Sequence, residues 1–309
     1  LKGQNTGRAS DENRNLRKRS ILNTRGTQSM EPENSIYNQR IDAIKVRTPR
    51  IEALLDRYFN STVRICPLRS RLATLSWKET EGQPLDIRRA RLFEKICDEM
   101  PVAIFDKELI VGAQTAYPRG VGLQLDFSPQ IGFEIEAGDR RLRAEQTEGF
   151  LDEEDLAIIA EDSHYWKGRA PGEVMLREIR KAMGSLFEDV STGLCTRSYG
   201  SNSISSPDAD FEKVLRIGLA GIRSEIDNGI AGIHFTSIDD GKKYHLLQAA
   251  KICIDAEIRL SKRYAGLARE MATAERDPIR KKELEEIAQA CGHVPENPPR
   301  TFREALQSV

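Results

Sequence analysis

From Thr48 onward, stretches of helical apolar spacing alternate with polar breaks. Thr48-Pro49 sets a capping hydroxyl before a proline at the first helical position, and Ile51, Leu54, Leu55 and Tyr58 follow as one inward face. Ile87–Met100 predicts a second helix, facing inward through Ile87, Ala90, Leu92, Phe93, Ile96 and the stem of Arg91. Two short β-rich runs, Val102–Phe105 and Leu109–Val111, flank Asp106-Lys107 and predict a hairpin. Residues 112–150 read as loop, broken by Gly112, Pro118, Gly120, Gly122, Pro129, Gly132 and Gly138.

Leu151–Ala160 and Pro171–Phe187 predict helices, and Cys195–Asp210 predicts a polar loop. A long amphipathic helix follows with Phe211, Leu215, Leu219, Ile222 and Ile226 facing in. Another covers about Lys242–Thr273. Its Leu247, Ile254 and Ile258 give way to Ser261, Ala265 and Ala268, small residues that let a neighbouring helix come close. Asp277-Pro278 caps the next helix, with Leu284, Ile287 and Cys291 inward. Thr301 and Glu304 have capping-box spacing, and Phe302, Ala305, Leu306 and Val309 form one apolar face. That face runs only about two turns before the sequence stops. A helix so short needs something to pack on, so the chain is expected to be a fragment truncated at Val309.

The other end gives a different picture. Residues 1–35 are polar and nearly free of large apolar groups, so they are expected to be a disordered or non-native tail, with Met30 a candidate start. A basic nucleic-acid arm around Arg14, Arg17, Lys18 and Arg19 would have no aromatic to stack on bases. Residues 36–309 form one domain with no repeat or clear linker.

The formal net charge is −1, which gives no broad attraction to nucleic acid or anionic membrane. No apolar run reaches the roughly 18–20 residues of a membrane helix, and nothing resembles a secretion signal. The five cysteines (Cys66, Cys97, Cys195, Cys253, Cys291) are widely spaced and odd in number, which fits neither a disulfide framework nor a metal knuckle. A reducing cytoplasm is the natural compartment.

Among chemical candidates, Cys66 in RICPLRSRL (Arg64–Leu72) lies near Arg64, Arg69 and Arg71, and cations favour the reactive thiolate. No histidine is close in sequence, and a small buried core residue is the commoner role. Cys97, Cys253 and Cys291 fall on apolar helix faces and read as core; Cys195, at the head of the polar loop, is a second candidate. His164 in SHYWKGR reads as a structural corner rather than a base, and no histidine pairs at metal-ligand spacing. The loop SYGSNSISS is dense in hydrogen-bonding groups, and serves equally as a binding loop or a capping turn. Residue chemistry alone stops at a helix-rich portion of a larger cytoplasmic protein.

RICPLRSRL, TLSWKETEGQPLDIRRA (Thr74–Ala90), DKELIVGAQTAYPRG (Asp106–Gly120) and Tyr264–Val309, in that order, resemble the glycyl radical enzymes. The resemblance is to the pyruvate formate-lyase-like family, dehydratase and lyase branch, over roughly residues 40–309. It implies an α/β, helix-rich fold, the N-terminal part of a ten-stranded barrel wrapped by helices. It also implies lyase chemistry by a thiyl radical on a small polar substrate, cleaving a C–O, C–N, C–S or C–C bond. The implied partners are a radical-activating enzyme that uses an iron–sulfur cluster and S-adenosylmethionine, and a second copy in a homodimer.

In that family the thiyl cysteine sits in a GC-containing loop and the radical glycine in an RVAGY-like motif. Neither motif occurs in these residues, so no catalytic residue is assigned, the glycyl radical lies outside the chain, no metal or organic cofactor is expected, and Cys66 is structural. The helix DADFEKVLR (Asp208–Arg216) matches one that follows a substrate contact. Counting back from Phe211 reaches Ser206, where the family usually has His or Asp. Tyr199 and Asn202 are further pocket candidates, and Arg197 could meet an anionic group through two parallel hydrogen bonds. The rival reading is a non-catalytic helical binding or scaffold protein that kept only this outer layer.

Overall fold

The structure, a computed structural model, describes residues 47–136, 151–187 and 209–309. Among these, α1 (Pro49–Asn60) leads into β1 (Arg64–Cys66), α2 (Leu68–Glu79) and α3 (Leu85–Glu99). Next come β2 (Gly120–Gly122), α4 (Gln130–Glu136), α5 (Glu153–Trp166) and α6 (Pro171–Met183). The last four are α7 (Phe211–Ala231), α8 (Ile238–Ala274), α9 (Pro278–His293) and α10 (Phe302–Ser308). Pro49–Val309 make one compact unit.

Two cores organise that unit. In the first, α8 meets α9 and α3. Ala265 and Ala268, both fully buried, let α9 come close enough for Leu284, Ile287 and Cys291 to pack. Ser261 Oγ sits against the Cys291 and Val294 carbonyls at 2.8 and 2.7 Å. The stripe of small residues read from the sequence is therefore a helix contact. The second core joins α2, α4 and α5 around Ala73, Leu125, Ile135, Ile159 and Trp166. Trp166 is buried, and its indole N–H donates to Thr74 Oγ1 (2.9 Å), the partner a buried indole needs. At Gly132 a side chain would overlap Ser163 Oγ, so glycine is what lets α4 lie on α5.

The hairpin expected at Val102–Val111 is absent. Those residues form no ladder and turn at Lys107, which has φ +64°. Their carbonyls are taken by arginines instead. Arg280 donates to Glu108 O (2.8 Å) and Phe105 O (3.2 Å), Arg50 to Lys107 O (2.7 Å) and Arg303 to Leu109 O (3.3 Å). Arg57 reaches Asp106 O; ahead of this run, Arg263 takes the carbonyls of Cys97 and Met100 (2.6 Å to the latter). Buried carbonyls need partners, and the guanidinium's five donors supply them where a second strand does not. Ile104 and Val111 then turn into the first core.

Other expectations also shift. Residues 112–150, read as loop, contain β2 and α4; β1 and β2 pair in parallel, with Ile65 opposite Val121. On α1, Leu54 and Leu55 are half-buried while Ile51 and Tyr58 are 45 % and 52 % exposed, so the inward face is narrower than its spacing implied. Phe93 and Phe211, expected inward, are exposed. α3 starts at Leu85 rather than Ile87, α5 extends to Trp166 and takes in the expected corner at His164, and α8 starts at Ile238 through a Ser237/Asp240 capping box.

The largest inversion is at α10. Phe302, Leu306 and Val309 face solvent, and the polar side packs inward. Glu304 is buried, and the Gln307 carboxamide donates to Val111 O (2.9 Å) and accepts from Val111 N–H (3.0 Å). Thr301 caps Glu304 N–H (3.2 Å), but the Glu304 carboxylate takes the Arg300 N–H (2.7 Å) rather than that of Thr301, so the box is half formed.

Candidate functional site

β1 and the start of α2 fix the RICPLRSRL stretch, with Pro67 at the joint between them. Cys66 is buried, and all three arginines are engaged elsewhere. Arg64 lies over the Tyr117 ring (5.3 Å), Arg69 pairs with Asp126 (3.2 Å for one contact), and Arg71 bonds Glu161 (2.6 Å) and Asp162 (3.0 Å). Burial raises the Cys66 thiol above its ordinary value, and the Asp155 carboxylate adds to that, against the opposing backbone N–H groups of Leu68 and Arg69. A thiol in this setting stays protonated, which matches the structural role. Burial also raises the Asp162 carboxyl, and Arg71 offsets this only in part.

The described cavity with the most chemistry lies where α3, the segment 100–114, β2 and α8 meet. It measures about 330 Å³. Cys97, Met100 and Tyr264, all buried, line it with Leu260, Ile96 and Val102. Gln114 and Gln124, both exposed, and the stem of Arg69 complete the wall. Tyr264 O–H donates to Ala113 O (3.2 Å), which fixes the ring. Burial first, then the nearby carboxylates of Glu257 and Asp98, push the Cys97 thiol up to about 12. The cavity therefore carries a neutral thiol, a phenol that donates inward to backbone, and two carboxamides.

His164 lies on the last turn of α5, exposed, with Nε2 3.4 Å from Glu136 Oε1 and its ring against Phe133. That is a surface contact between α4 and α5. No helix among the described residues is long and apolar enough to cross a membrane.

The sequence profile of the Pyruvate formate lyase-like family matches residues 40–309. The chain belongs to the pyruvate formate lyase-like family. This pyruvate formate lyase-like chain is 34 % identical over 278 residues to isethionate sulfite-lyase of Nitratidesulfovibrio vulgaris, an alignment covering 87 % of this chain and 33 % of that protein. Its backbone superposes on a structure concerning 1,2-propanediol dehydration in Roseburia inulinivorans with TM-score 0.75 and 33 % identity, over 85 % of this chain and 32 % of that one. A glycyl radical enzyme from Archaeoglobus fulgidus gives TM-score 0.73 at 31 % identity, over 84 % and 33 %. The helix-rich fold is that of the pyruvate formate lyase-like glycyl radical enzymes, and the chain spans about a third of the length of the curated relatives it matches.

Arg197, Tyr199, Asn202 and Ser206, the pocket candidates of this pyruvate formate lyase-like chain, lie outside the described residues, as does Cys195. The helix that anchors the count to Ser206 is described. α7 starts at Phe211, and its N-cap Asp210 accepts from Lys213 N–H (3.0 Å). Cys97 and Cys291 are buried as expected, whereas Cys253 is only half-buried. Sequence reading missed the cavity because Arg69, Cys97, Gln114, Gln124 and Tyr264 come from separate elements with no shared local pattern.

Proposed function

We propose that residues 36–309 are the N-terminal portion of an anaerobic glycyl radical lyase or dehydratase of the cytoplasm. Its substrate is a small polar molecule that loses a group by C–O, C–N, C–S or C–C cleavage. The observation that carries this reading is the family match across residues 40–309 together with backbone agreement at TM-score 0.75 and 33 % identity. A glycyl radical would supply, through a thiyl sulfur, the hydrogen abstraction that starts such a reaction.

The residues present do not hold that group. The 309 residues contain neither the GC loop nor an RVAGY-like motif. Cys66, Cys97 and Cys291 are buried, with thiols pushed up by burial. No radical step is therefore assigned to this chain, and by itself it is inactive. Its own share of the site is the loop carrying Arg197, Tyr199, Asn202 and Ser206. Arg197 would meet an anionic group of the substrate, and Ser206, Tyr199 and Asn202 would offer neutral hydrogen bonds. Ser206 cannot carry charge, so general acid or base chemistry falls to other residues. The partners in this reading are the substrate, a radical-activating enzyme with an iron–sulfur cluster and S-adenosylmethionine, and a second copy of the complete protein.

The test is to read the gene beyond the codon for Val309 and express the whole frame with its activating enzyme under anoxia. Continuation into a GC-containing loop and an RVAGY-like motif, with a glycyl radical signal by electron paramagnetic resonance, is the expected result. An immediate stop codon and a compact, self-sufficient protein would leave the binding or scaffold reading in its place.

A further inference from the structure

We propose that the cavity between α3, the 100–114 segment, β2 and α8 binds a small uncharged amphipathic organic molecule. Its apolar part would rest on Cys97, Met100, Leu260 and Tyr264, and its hydrogen-bonding group would meet Gln114 and Gln124. This site lies on described residues and does not include the loop invoked above for substrate.

Volume and wall chemistry select the ligand. About 330 Å³ is at the small end of the roughly 300–1,000 Å³ typical of ligand pockets, so a single ring with one polar substituent suits it. The floor is apolar and already buried, which favours an apolar body. At the rim, the Gln114 and Gln124 carboxamides make no side-chain hydrogen bond to a described residue, although other polar side chains bordering the cavity do. Each can both donate and accept, and so can serve a hydroxyl or an amide.

Charge is excluded by the same wall. Arg69 is the lining residue with a formal charge, and Asp126 already pairs with it. The Tyr264 hydroxyl is occupied by Ala113 O, and Cys97 keeps its proton. Among the lining residues, a carboxylate or an ammonium would lose water without meeting an unpaired counter-charge. The cavity wall is also held in place: Arg263 clamps the Cys97 and Met100 carbonyls, which keeps the floor formed without ligand.

The experiment is equilibrium binding to the 309-residue chain by ligand-observed NMR, with benzamide and benzyl alcohol as neutral probes and benzoate and benzylamine as charged partners of the same shape. Saturable binding of a neutral probe near roughly 1 mM is expected, with the charged partners at least about tenfold weaker. Leu260→Trp fills the floor and should abolish binding. Gln114→Ala with Gln124→Ala, on exposed positions that leave the fold alone, should weaken benzamide about tenfold. Equal binding of benzoate and benzamide, unaltered binding in the rim double variant, or no saturable binding of either neutral probe would overturn the proposal. A continuing reading frame with no binding here would sink this site alone; a stop codon with binding intact would sink only the radical-enzyme reading.

Discussion

Gly218 shows how one residue can decide a helix. Its φ of +66° interrupts α7, and the following N–H groups of Leu219 and Ala220 donate to the carbonyls of Pro295 and Glu296, both at 2.9 Å. A Cβ at this position would lie 2.5 Å from Glu296 O and 2.9 Å from Asn297 Cα. Backbone strain and overlap then act together, so Gly218→Ala should cost about 3 kcal/mol or more in urea unfolding. A neighbouring substitution without that constraint, Ser224→Ala, should cost well under 1 kcal/mol, since its hydroxyl is an exposed back-bond to Ala220 O. Cys97 carries a pH prediction. Its thiol is raised from 9.0 to about 12 in the folded chain, so folding favours the protonated form. That contribution is complete below pH 9 and is lost as pH climbs from 9 towards 12, because the unfolded chain ionises first. The urea midpoint should fall over that window, and Cys97→Ala should flatten the fall while lowering the midpoint at pH 8.

At the scale of elements, the 100–113 segment is held by side chains from distant helices. Arg280 is buried and satisfies two of its carbonyls while pairing with Glu283 (2.9 Å). Arg280→Ala orphans those carbonyls and should destabilise by about 3 kcal/mol, with Arg280→Lys restoring part of that. Burial works against the Glu283 carboxylate, but hydrogen bonds from Arg50 and Arg280 outweigh it and hold the group below its ordinary 4.5. Its stabilising share is therefore present above pH 4.5 and lost as pH falls below it, a loss that Glu283→Gln should remove from the acid limb. α10 is tied to the rest of the chain by the Gln307 carboxamide on Val111 and by Arg303 on Leu109 O and Glu286. Gln307→Ala breaks both bonds to Val111 and should release α10 to rapid amide hydrogen exchange while α8 and α9 stay protected.

Across the whole molecule, the two cores are tied through α3, which packs on α8 on one side and on α2 on the other. Both tryptophans, Trp77 and Trp166, report on the second core, with ring centroids 5.6 Å apart. Melting followed by tryptophan fluorescence and by far-ultraviolet circular dichroism should coincide; separate midpoints would show that the cores unfold independently. The exposed face of α10 works at this scale too. Phe302 is 79 % exposed and Val309 67 %, apolar area that the rest of the described chain does not cover. The chain expressed alone should bind a hydrophobic dye, and Phe302→Ser with Leu306→Ser should lower that signal without moving the melting midpoint.

The sequence by itself determined the existence of the long helices, the Asp277 cap of α9 and the close contact of α8 with α9. Apolar spacing, Asp277-Pro278 and the Ser261–Ala268 stripe are local signals, and local backbone preference together with one packed face is enough to express them. Four ordered motifs also carried the family. Tertiary structure alone decided the rest, because those features depend on groups that meet only after folding. The β-rich run at Val102–Val111 stayed out of a sheet because arginines from α1, α9 and α10 took its carbonyls. The apolar side of α10 turned outward because Gln307 found Val111 196 residues away. The arginines around Cys66 left its thiol unactivated because Asp126, Glu161 and Asp162 stood within reach of two of them and the Tyr117 ring lay against the third.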